Sequence, residues 1–500
     1  AALSPDAVAI ALLFSFAHPE HERHLAGVIR QALPGRPVVA SHQVLPVFRE
    51  YERTSTTTVE AALRPLVSRY VERVGRETRT HGVAEFRVMA SNGGTLSAEQ
   101  AGTRAAWLAL SGPVGGVEGA RLAAAQAGVQ DLLTVDMGGT SADASVVLNG
   151  DPLTQSGGEV GGIPLALPHV LIETVGAGGG SIAWVDPGGA LHVGPRSAGA
   201  MPGPACYGLG GEDATVTDAA LVAGWLDPGH PLAADLRLEV EPARQALERV
   251  ARAAGLSVQA CAQGMLEIAT ASMVRALRRV SVERGVDPRR MTLLPFGGAG
   301  PLFTCRLAEA LSIRRALIPP HPGVLSALGL ASAQGRVECT VSVHRRADAL
   351  DAAGLGALFQ PLERDALAEL AGASLTRIAE CRYPGQGYEV AVPAGSTGLD
   401  TARAFHAAHR ARFGHADVSR PVEVVNLRAV ATAPRAEVRL VATGRRAGGG
   451  RGAREQLEDL APGTSLEGPL TLDGTDATVR VEAGWRGRVL ESGAVELERA

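Results

Sequence analysis

DLLTVDMGGTSADASVVLN, residues 131–149, is the stretch that decides the fold class, because two apolar segments enclose a polar glycine turn. Residues 131–135 predict a buried strand, and residues 143–149 predict a strand that returns beside it. Asp136 ends the first strand and Asp143 opens the second. Backbone N–H groups at a glycine bend and neighbouring hydroxyls hold phosphate oxygens, and a carboxylate holds Mg²⁺ directly or through water.

This hairpin is therefore predicted to bind a phosphate tail with its divalent cation. We expect Asp136 to be the catalytic carboxylate and the Mg²⁺ ligand, with Asp143 as a supporting carboxylate. The expected phosphate contacts are Gly138, Gly139, Thr140 and Ser141. The alternative is an ordinary hairpin with a glycine turn, but such a turn rarely needs two carboxylates, two glycines and two hydroxyls together.

A second glycine turn lies between a predicted strand, residues 291–295, and a helix that runs to Leu311. Its sequence is GGAGP, residues 297–301. Glycines here allow a ribose or base to lie against the backbone at a helix N-terminus. The expected nucleotide contacts are Gly297, Gly298 and Gly300. The alternative is a tight turn without a ligand, and the G-x-G-x-x-G spacing of a Rossmann fold is absent.

Two further segments between these turns are candidates for substrate contact. GAGGGS, residues 176–181, is either a close-approach loop or a flexible linker, and its candidates are Gly178 and Gly179. Residues 194–218 predict an irregular loop rich in Pro and Gly, with Cys206 and Asp218 as candidates. Cys206 has no His or second Cys nearby in sequence, which disfavours it as a nucleophile.

Composition excludes several classes of protein. The chain contains no Lys, so a Walker A lysine, a Schiff-base lysine and a lysine general base are excluded. The net charge of −4 gives no electrostatic case for nucleic acid or an anionic membrane. No apolar run is long enough for a membrane span, and no signal peptide is visible. The five cysteines form no C-x-x-C pair. We therefore expect a cytoplasmic protein.

A chain of 500 residues is too long for one ordinary domain. We expect the remainder of an N-terminal domain in residues 1–85, a nucleotide-binding core in residues 86–335 and a β-rich domain in residues 336–500. Local patterns predict a buried strand over residues 7–17, and a helix from Thr54 to Val74 that Pro65 kinks or splits. A helix from Ser97 to Leu110 is predicted to end before a glycine loop, and residues 444–454 are predicted to be an exposed loop.

Many ordered strings resemble the hydantoinase A / 5-oxoprolinase family over nearly the whole chain. They are REYERTST (49–56), SNGG (91–94), SGPVGG (111–116), DMGGTSAD (136–143), GAGGGS (176–181), PGPACYG (202–208), TVTDA (215–219), FGGAGP (296–301), PGVLSALG (322–329), YPGQ (383–386) and FHAAHRARFG (405–414).

The resemblance implies an α/β, actin-like (sugar-kinase-like) ATPase fold that binds ATP with Mg²⁺ or Mn²⁺. It implies ring opening of a cyclic amide such as 5-oxoproline or a hydantoin, after phosphorylation of the carbonyl oxygen. It also implies a hydantoinase B-like partner subunit and an oligomer. The alternatives are the ATP-using subunit of an acetone or acetophenone carboxylase, and a non-catalytic nucleotide-binding subunit.

One departure from the family pattern concerns the N-terminus. The family begins with another Asp/Gly/Gly/Thr hairpin, upstream of the point where this chain starts. We therefore expect an N-terminally truncated chain that is inactive alone.

Overall fold

The computed structural model describes residues 5–232, 236–435, 437–442 and 454–500. The predicted loop 444–454 lies outside these residues except for Arg454. The α-helices are α1 (Glu20–Ala32), α2 (Ser41–Val44), α3 (Glu50–Thr80), α4 (Ala98–Thr103), α5 (Ser111–Gln126), α6 (Val216–Val222), α7 (Val240–Ala254), α8 (Val258–Val280), α9 (Thr304–Ala310), α10 (Leu325–Ser332), α11 (Ala352–Glu369) and α12 (Gly398–Phe413).

The described strands before residue 200 have at most seven residues. They are β1 (Val8–Ile10), β2 (Val38–Ala40), β3 (Arg87–Met89), β4 (Thr95–Ser97), β5 (Leu132–Met137), β6 (Ala142–Leu148), β7 (Asp151–Pro152), β8 (Thr154–Ser156), β9 (Glu159–Val160), β10 (Ile163–Pro164), β11 (Pro168–Val170), β12 (Ile172–Val175), β13 (Ser181–Val185) and β14 (Leu191–Ser197).

The later strands include the longest of the described residues. They are β15 (Thr292–Phe296), β16 (Arg315–Ile318), β17 (Arg336–Arg346), β18 (Ser374–Arg382), β19 (Val390–Pro393), β20 (Glu423–Thr432), β21 (Arg454–Gln456), β22 (Ser465–Glu467), β23 (Leu470–Asp473), β24 (Thr478–Val481), β25 (Trp485–Val489) and β26 (Val495–Arg499). The protein is thus of the α/β class, as the sequence predicts.

The chain forms two compact units, of which unit 2 contains residues 115–153, 171–332 and 437–500. Its mixed sheet has the order β12-β6-β5-β15-β16-β26-β25-β22. β5 lies parallel to β15 and antiparallel to β6. Helix α8 packs against β5, β6 and β12. The side chains of β5 are buried almost throughout, which explains the apolar run that predicts this strand.

Unit 1 contains residues 1–114, 154–170 and 333–436. Its main sheet has the order β17-β20-β18-β19, with antiparallel pairing throughout. Helix α11 packs on β17 and β20, and α12 packs on β19. The apolar side chains between these helices and the sheet form the core of this unit.

The two units do not follow the three predicted segments, because residues 336–500 fall into both. Residues 333–436 belong to unit 1, whereas β22, β25 and β26 join the mixed sheet of unit 2. β26 pairs in antiparallel register with β16, which is far away in sequence. An alternating pattern predicts a strand but not the sheet that it joins.

Two predicted elements near the N-terminus differ from the structure. The predicted strand 7–17 is only Val8–Ile10, and the chain leaves it through Phe14, which has a φ of 56°. Helix α3 begins at Glu50 rather than Thr54 and continues through Pro65. The hydroxyls of Thr56, Thr57 and Thr58 donate to carbonyl groups four residues earlier in the helix, as Thr57 does to Arg53 at 2.6 Å. These side chains therefore do not cap the helix N-terminus.

SGPVGG, predicted to follow the end of a helix, is the beginning of helix α5. The predicted helix 97–110 is instead the short α4, capped by Ser97, and a 3-10 turn. The glycines of α5 permit close packing: a Cβ at Gly119 would lie 2.4 Å from the Leu325 carbonyl oxygen, and one at Gly116 would lie 2.4 Å from the Phe296 ring. These glycines therefore serve helix packing within unit 2.

Candidate functional site

The β5–β6 hairpin carries the two predicted carboxylates on neighbouring strands. Asp136 and Asp143 are opposite each other in the antiparallel register. Both side chains are half-buried, so neither is sealed in the interior. Directly opposite residues of an antiparallel pair have their Cβ atoms about 4.5–5.5 Å apart. The sheet therefore brings two negative charges together at its edge.

These two carboxyl groups are harder to ionise than ordinary ones. Burial, and after it the nearby charge of Asp143, together raise the pKa of Asp136 to about 6. Burial also raises the pKa of Asp143, while a hydrogen bond donated by the Thr174 hydroxyl lowers it. A divalent cation would favour the ionised form of both, because each carboxylate would gain the opposite charge that it lacks.

The turn of the hairpin presents free backbone donors. Gly138 N donates to the Ser141 carbonyl oxygen at 3.1 Å. The N–H groups of Gly139 and Thr140 donate to no group among the residues that the structure describes. Both residues are exposed, and a Cβ at Gly138 or Gly139 would meet nothing within 4 Å. The predicted phosphate contacts thus form an open turn with unpaired donors, which suits an anion.

The Gly178–Gly180 loop packs against this turn and hydrogen-bonds to its backbone. Gly179 N donates to the Gly138 carbonyl oxygen at 2.9 Å, and Gly180 N to that of Gly139 at 2.6 Å. A Cβ at Gly178 would lie 2.5 Å from the Thr140 carbonyl carbon. Gly178 and Gly179 are buried. Their contacts are those of a packed support, and their role as substrate contacts stays a prediction.

The Gly297–Pro301 loop lies beside the same carboxylate. Gly297 has a φ of 78°, and a Cβ there would lie 2.3 Å from Oδ1 of Asp136. Ala299 N donates to the Met137 carbonyl oxygen at 3.0 Å, which ties the loop to β5. Gly298 is exposed, whereas Gly297 and Gly300 are buried. The structure therefore brings the two glycine turns together, and of the three predicted nucleotide contacts only Gly298 faces solvent.

Cys206 and Asp218 lie in a buried hydrogen-bonded corner. Asp218 accepts from the backbone N–H of Cys206 at 2.7 Å and of Thr215 at 2.8 Å, and it forms the capping box of α6 with Thr215. Burial and the nearby Asp218 charge raise the pKa of the Cys206 thiol far above its usual range. The thiol is therefore unreactive as a nucleophile. These hydrogen bonds hold the loop and the start of α6 together, which is a sufficient structural role for both residues. Their role as substrate contacts stays a prediction.

Two hydroxyl residues that complete this region are missing from the sequence-based set. Thr174 donates to Asp143, and Thr217 donates through its backbone and its hydroxyl to the Gly179 carbonyl oxygen at 2.8 and 2.9 Å. Neither belongs to a glycine motif. The pairing of β12 with β6 brings Thr174 to Asp143, and only knowledge of that pairing could have found it.

Comparison with known proteins identifies the family. Residues 53–338 match the model of the Hydantoinase/oxoprolinase family, which covers more than half of the chain. The chain belongs to this family, and the resemblance drawn from its motifs is confirmed. No helix within the described ranges is long and apolar enough to cross a membrane.

Among its relatives is the caprolactamase subunit alpha of Pseudomonas jessenii, which is 34% identical over 98% of this chain and 76% of that protein. The crystal structure of the ATP-dependent caprolactamase from Pseudomonas jessenii matches with a TM-score of 0.85 and 32% identity, over 99% of this chain and 77% of that one. A nucleotide-free acetone carboxylase structure matches with a TM-score of 0.76 and 25% identity, over 99% of this chain and 76% of that one.

Proposed function

We propose that this chain is the ATP-using subunit of an enzyme that opens a cyclic amide by ATP-dependent hydrolysis. The observation that carries the proposal is the convergence of Asp136, the open turn Gly138–Thr140 and the Gly297–Pro301 loop. Family membership and the similarity to an ATP-dependent caprolactamase support it. Candidate substrates are 5-oxoproline, a hydantoin and a lactam of the caprolactam kind.

The residues of this region fit a phosphate chain with Mg²⁺ or Mn²⁺. Asp136 and Asp143 offer hard oxygen ligands, and none of the described Arg side chains forms an ion pair with either. The space above Gly138 and Gly139 is open to a ligand. Asp136 would hold the cation directly or through water, and Asp143 would support it. When bound, the cation would neutralise charge on the phosphates.

ATP would supply the phosphoryl group that activates the carbonyl oxygen of the amide toward water. The chain's own part is to bind and orient. The free N–H groups of Gly139 and Thr140, with the hydroxyls of Thr140 and Ser141, would hold phosphate oxygens. The Gly178–Gly180 support keeps these donors in place without a ligand, so little reorganisation is needed when phosphate arrives. Gly298, on the exposed part of its loop, would lie against the nucleoside.

We infer further that the fold is of the actin-like ATPase type, with Asp136–Asp143 as one of its phosphate hairpins. We also propose that the chain works in an oligomer with a hydantoinase B-like subunit. The name of the Pseudomonas jessenii relative, a subunit alpha, supports a partner.

A second candidate is the ATP-using subunit of a carboxylase that acts on a ketone. The match to acetone carboxylase over 99% of this chain favours it. The phosphate-binding residues would be the same in both cases. The two candidates differ in the molecule that accepts the phosphoryl group, and substrate tests separate them.

The proposal is tested by ADP release from the purified complex of this chain with its partner subunit. The assay compares 5-oxoproline, hydantoin, caprolactam, and acetone with bicarbonate, each with ATP and Mg²⁺ or Mn²⁺. We expect one cyclic amide to stimulate ADP release and to yield its ring-opened acid in equal amount.

The other outcomes contradict this function in different ways. Release only with ketone and bicarbonate would identify a carboxylase. ATP binding by the complex without release under any of these conditions would identify a non-catalytic nucleotide-binding subunit.

A further inference from the structure

Three potential metal ligands meet at a place that no motif of the sequence indicates. His321 follows β16, Glu458 lies in a 3-10 turn after β21, and Asp476 lies in the turn between β23 and β24. Each offers one ligand atom, and these atoms all lie within 4.8 Å of one another. All three belong to unit 2. The arrangement brings one imidazole and two carboxylates from three separate turns to a single point.

Asp476 is the unusual member, because its charged end is buried without a partner. Both of its carboxylate oxygens are shielded from solvent, and neither is in hydrogen-bonding geometry with any group of the described residues. Burial raises the pKa of Asp476, while the nearby His321 lowers it and the nearby Glu458 raises it. A buried carboxylate without a cation or donor is costly, so a missing partner is indicated.

Glu458 is held so that one oxygen remains available. Its Oε1 accepts from the Thr475 backbone N–H at 2.7 Å and from the Thr475 hydroxyl at 3.0 Å. Among the described Arg residues none forms an ion pair with Glu458 or Asp476. The side chain is thus fixed beside Asp476 by its neighbour in the turn, and none of the described Arg side chains neutralises either carboxylate.

The turns approach each other closely enough to require a glycine. A Cβ at Gly323 would lie 2.3 Å from the Asp476 carbonyl oxygen. His321 itself has a φ of 49°, in the left-handed region that is uncommon outside Gly but is enriched in Asn, Asp and His. This backbone conformation occurs at the position where the His321 imidazole lies close to the Glu458 and Asp476 carboxylates.

We propose that His321, Glu458 and Asp476 bind a divalent transition-metal ion such as Zn²⁺ or Mn²⁺. An imidazole nitrogen favours these ions over Mg²⁺ and Ca²⁺, which prefer oxygen ligands. Ligand bonds of about 2.0–2.2 Å place neighbouring ligands of a tetrahedral ion about 3.3–3.6 Å apart. Atoms that lie within 4.8 Å of one another therefore need to close by at most about 1.5 Å. Exposed His321 is free to supply that movement.

The site adjoins the second glycine turn. Gly297 N donates to the Pro322 carbonyl oxygen at 2.8 Å, and a Cβ at Gly298 would lie 3.8 Å from the Asp476 carbonyl oxygen. A bound ion would therefore fix the His321–Val324 turn against which the Gly297–Pro301 loop rests. Metal binding here does not require nucleotide, so this proposal and the proposed function fail separately.

The test is metal titration of the full chain after chelation and without nucleotide. Calorimetry with Zn²⁺ and with Mn²⁺ should give one site, and Asp476→Asn should weaken it by about 100-fold or more, since loss of even an outer-sphere partner costs 10- to 100-fold. His321→Asn should do the same while keeping a residue suited to positive φ. The matched control is His192→Asn, which removes another imidazole that pairs with a carboxylate, Asp186.

Thermal unfolding provides a second measurement of metal binding, which is independent of the metal affinities measured by calorimetry. Saturating Zn²⁺ should raise the Tm of the wild type and of His192→Asn, but not that of Asp476→Asn. Asp476→Asn without metal should be at least as stable as the wild type, because it removes an unpaired buried charge. Equal metal uptake by all variants, or no uptake by the wild type at millimolar metal, would overturn the site.

Discussion

A buried carboxylate in unit 1 and a half-buried carboxylate in unit 2 have opposite surroundings. Glu338 in unit 1 accepts from Asn92 at 3.0 Å, from Arg336 at 2.9 Å and from Arg428 at 3.2 Å. Burial raises its pKa, but the charges of Arg336 and Arg428 and the hydrogen bonds from Asn92 and Arg336 together outweigh burial, and its pKa lies below the usual value. Asp136 in unit 2 has no such partners among the residues that the structure describes, and its pKa is raised to about 6.

The contrast separates a carboxylate that stabilises the fold from one that is available for a ligand. A charge whose partners are all supplied by the protein adds to structure, and it has little left to offer to a ligand. A half-buried charge that the protein leaves unpaired reduces stability, and such groups concentrate at functional sites. Removing the Asp136 charge should therefore lower activity and raise stability. Disrupting the charges around Glu338 should lower stability.

The largest effect is expected from Asp136→Asn, which keeps the shape of the side chain and removes its charge. Substrate-dependent ADP release by the complete complex should fall by about 1000-fold, because a group that positions phosphate charge is lost. The control is Asp287→Asn, which removes a surface carboxylate paired with Arg289 and should leave the rate unchanged. Normal turnover by a folded Asp136→Asn protein would remove Asp136 from the mechanism.

The next effect concerns stability in unit 1. Arg428→Met should lower the free energy of unfolding by about 3 kcal/mol, because it leaves Glu338 and Glu380 with less compensation inside the unit. Denaturant titration of this unit's transition measures it. Adding Glu338→Gln to Arg428→Met should restore part of the loss. If Arg428→Met unfolds like the wild type, the described network contributes little.

Sequence patterns predict the site hairpin well for a physical reason. Asp136 through Asp143 form a local unit whose turn, strands and exposed donors all lie within a few residues. The same patterns could not predict that Gly178 supports the hairpin or that His321, Glu458 and Asp476 meet. These contacts depend on chain segments far apart in sequence, and spacing carries no information about them.

The patterns also misplace elements where packing decides the outcome. SGPVGG contains the residues of a turn, yet it begins α5, because the contacts of its glycines with α10 and Phe296 outweigh their low helix propensity. Glycine alone therefore does not distinguish a ligand-binding turn from a close packing contact. The space around each glycine distinguishes the two cases, because a ligand-binding turn is open and a packing contact is filled.

This distinction leads to a third prediction, on paired glycines of the site. Gly138→Ala should leave the free energy of unfolding within about 1 kcal/mol of the wild type, since its Cβ would enter open space. It should lower kcat/KM for ATP by about 100-fold, because a displaced phosphate loses its alignment. Gly297→Ala should instead destabilise the fold by about 2 kcal/mol, through its positive φ and its contact with Asp136.

Chemical denaturation and steady-state kinetics of the two alanine variants check this pair. The expected pattern is lost activity with normal stability for Gly138→Ala, and reduced stability for Gly297→Ala. A destabilised Gly138→Ala protein with normal ATP kinetics would show that the hairpin turn serves the fold rather than a ligand.

The smallest effect is a pH dependence of stability that comes from Asp136. Its pKa is about 6 in the folded protein and near 3.9 in an unfolded chain, so the folded state holds the proton more tightly. Its contribution to stability is full below about pH 4 and is lost as the pH rises through 6. At pH 7.5, Asp136→Asn should be more stable than the wild type by about 1–2 kcal/mol, allowing for partial exposure, and this difference should shrink toward pH 5.

Denaturant titrations at several pH values, without nucleotide or metal, measure this difference. Asp287→Asn is the control, because the hydrogen bond from Arg289 lowers the pKa of Asp287 and both states are ionised throughout the range from pH 5 to 7.5. Its stability difference from the wild type should not change with pH. A pH-independent difference for Asp136→Asn as well would mean that Asp136 is already compensated, and its contrast with Glu338 would disappear.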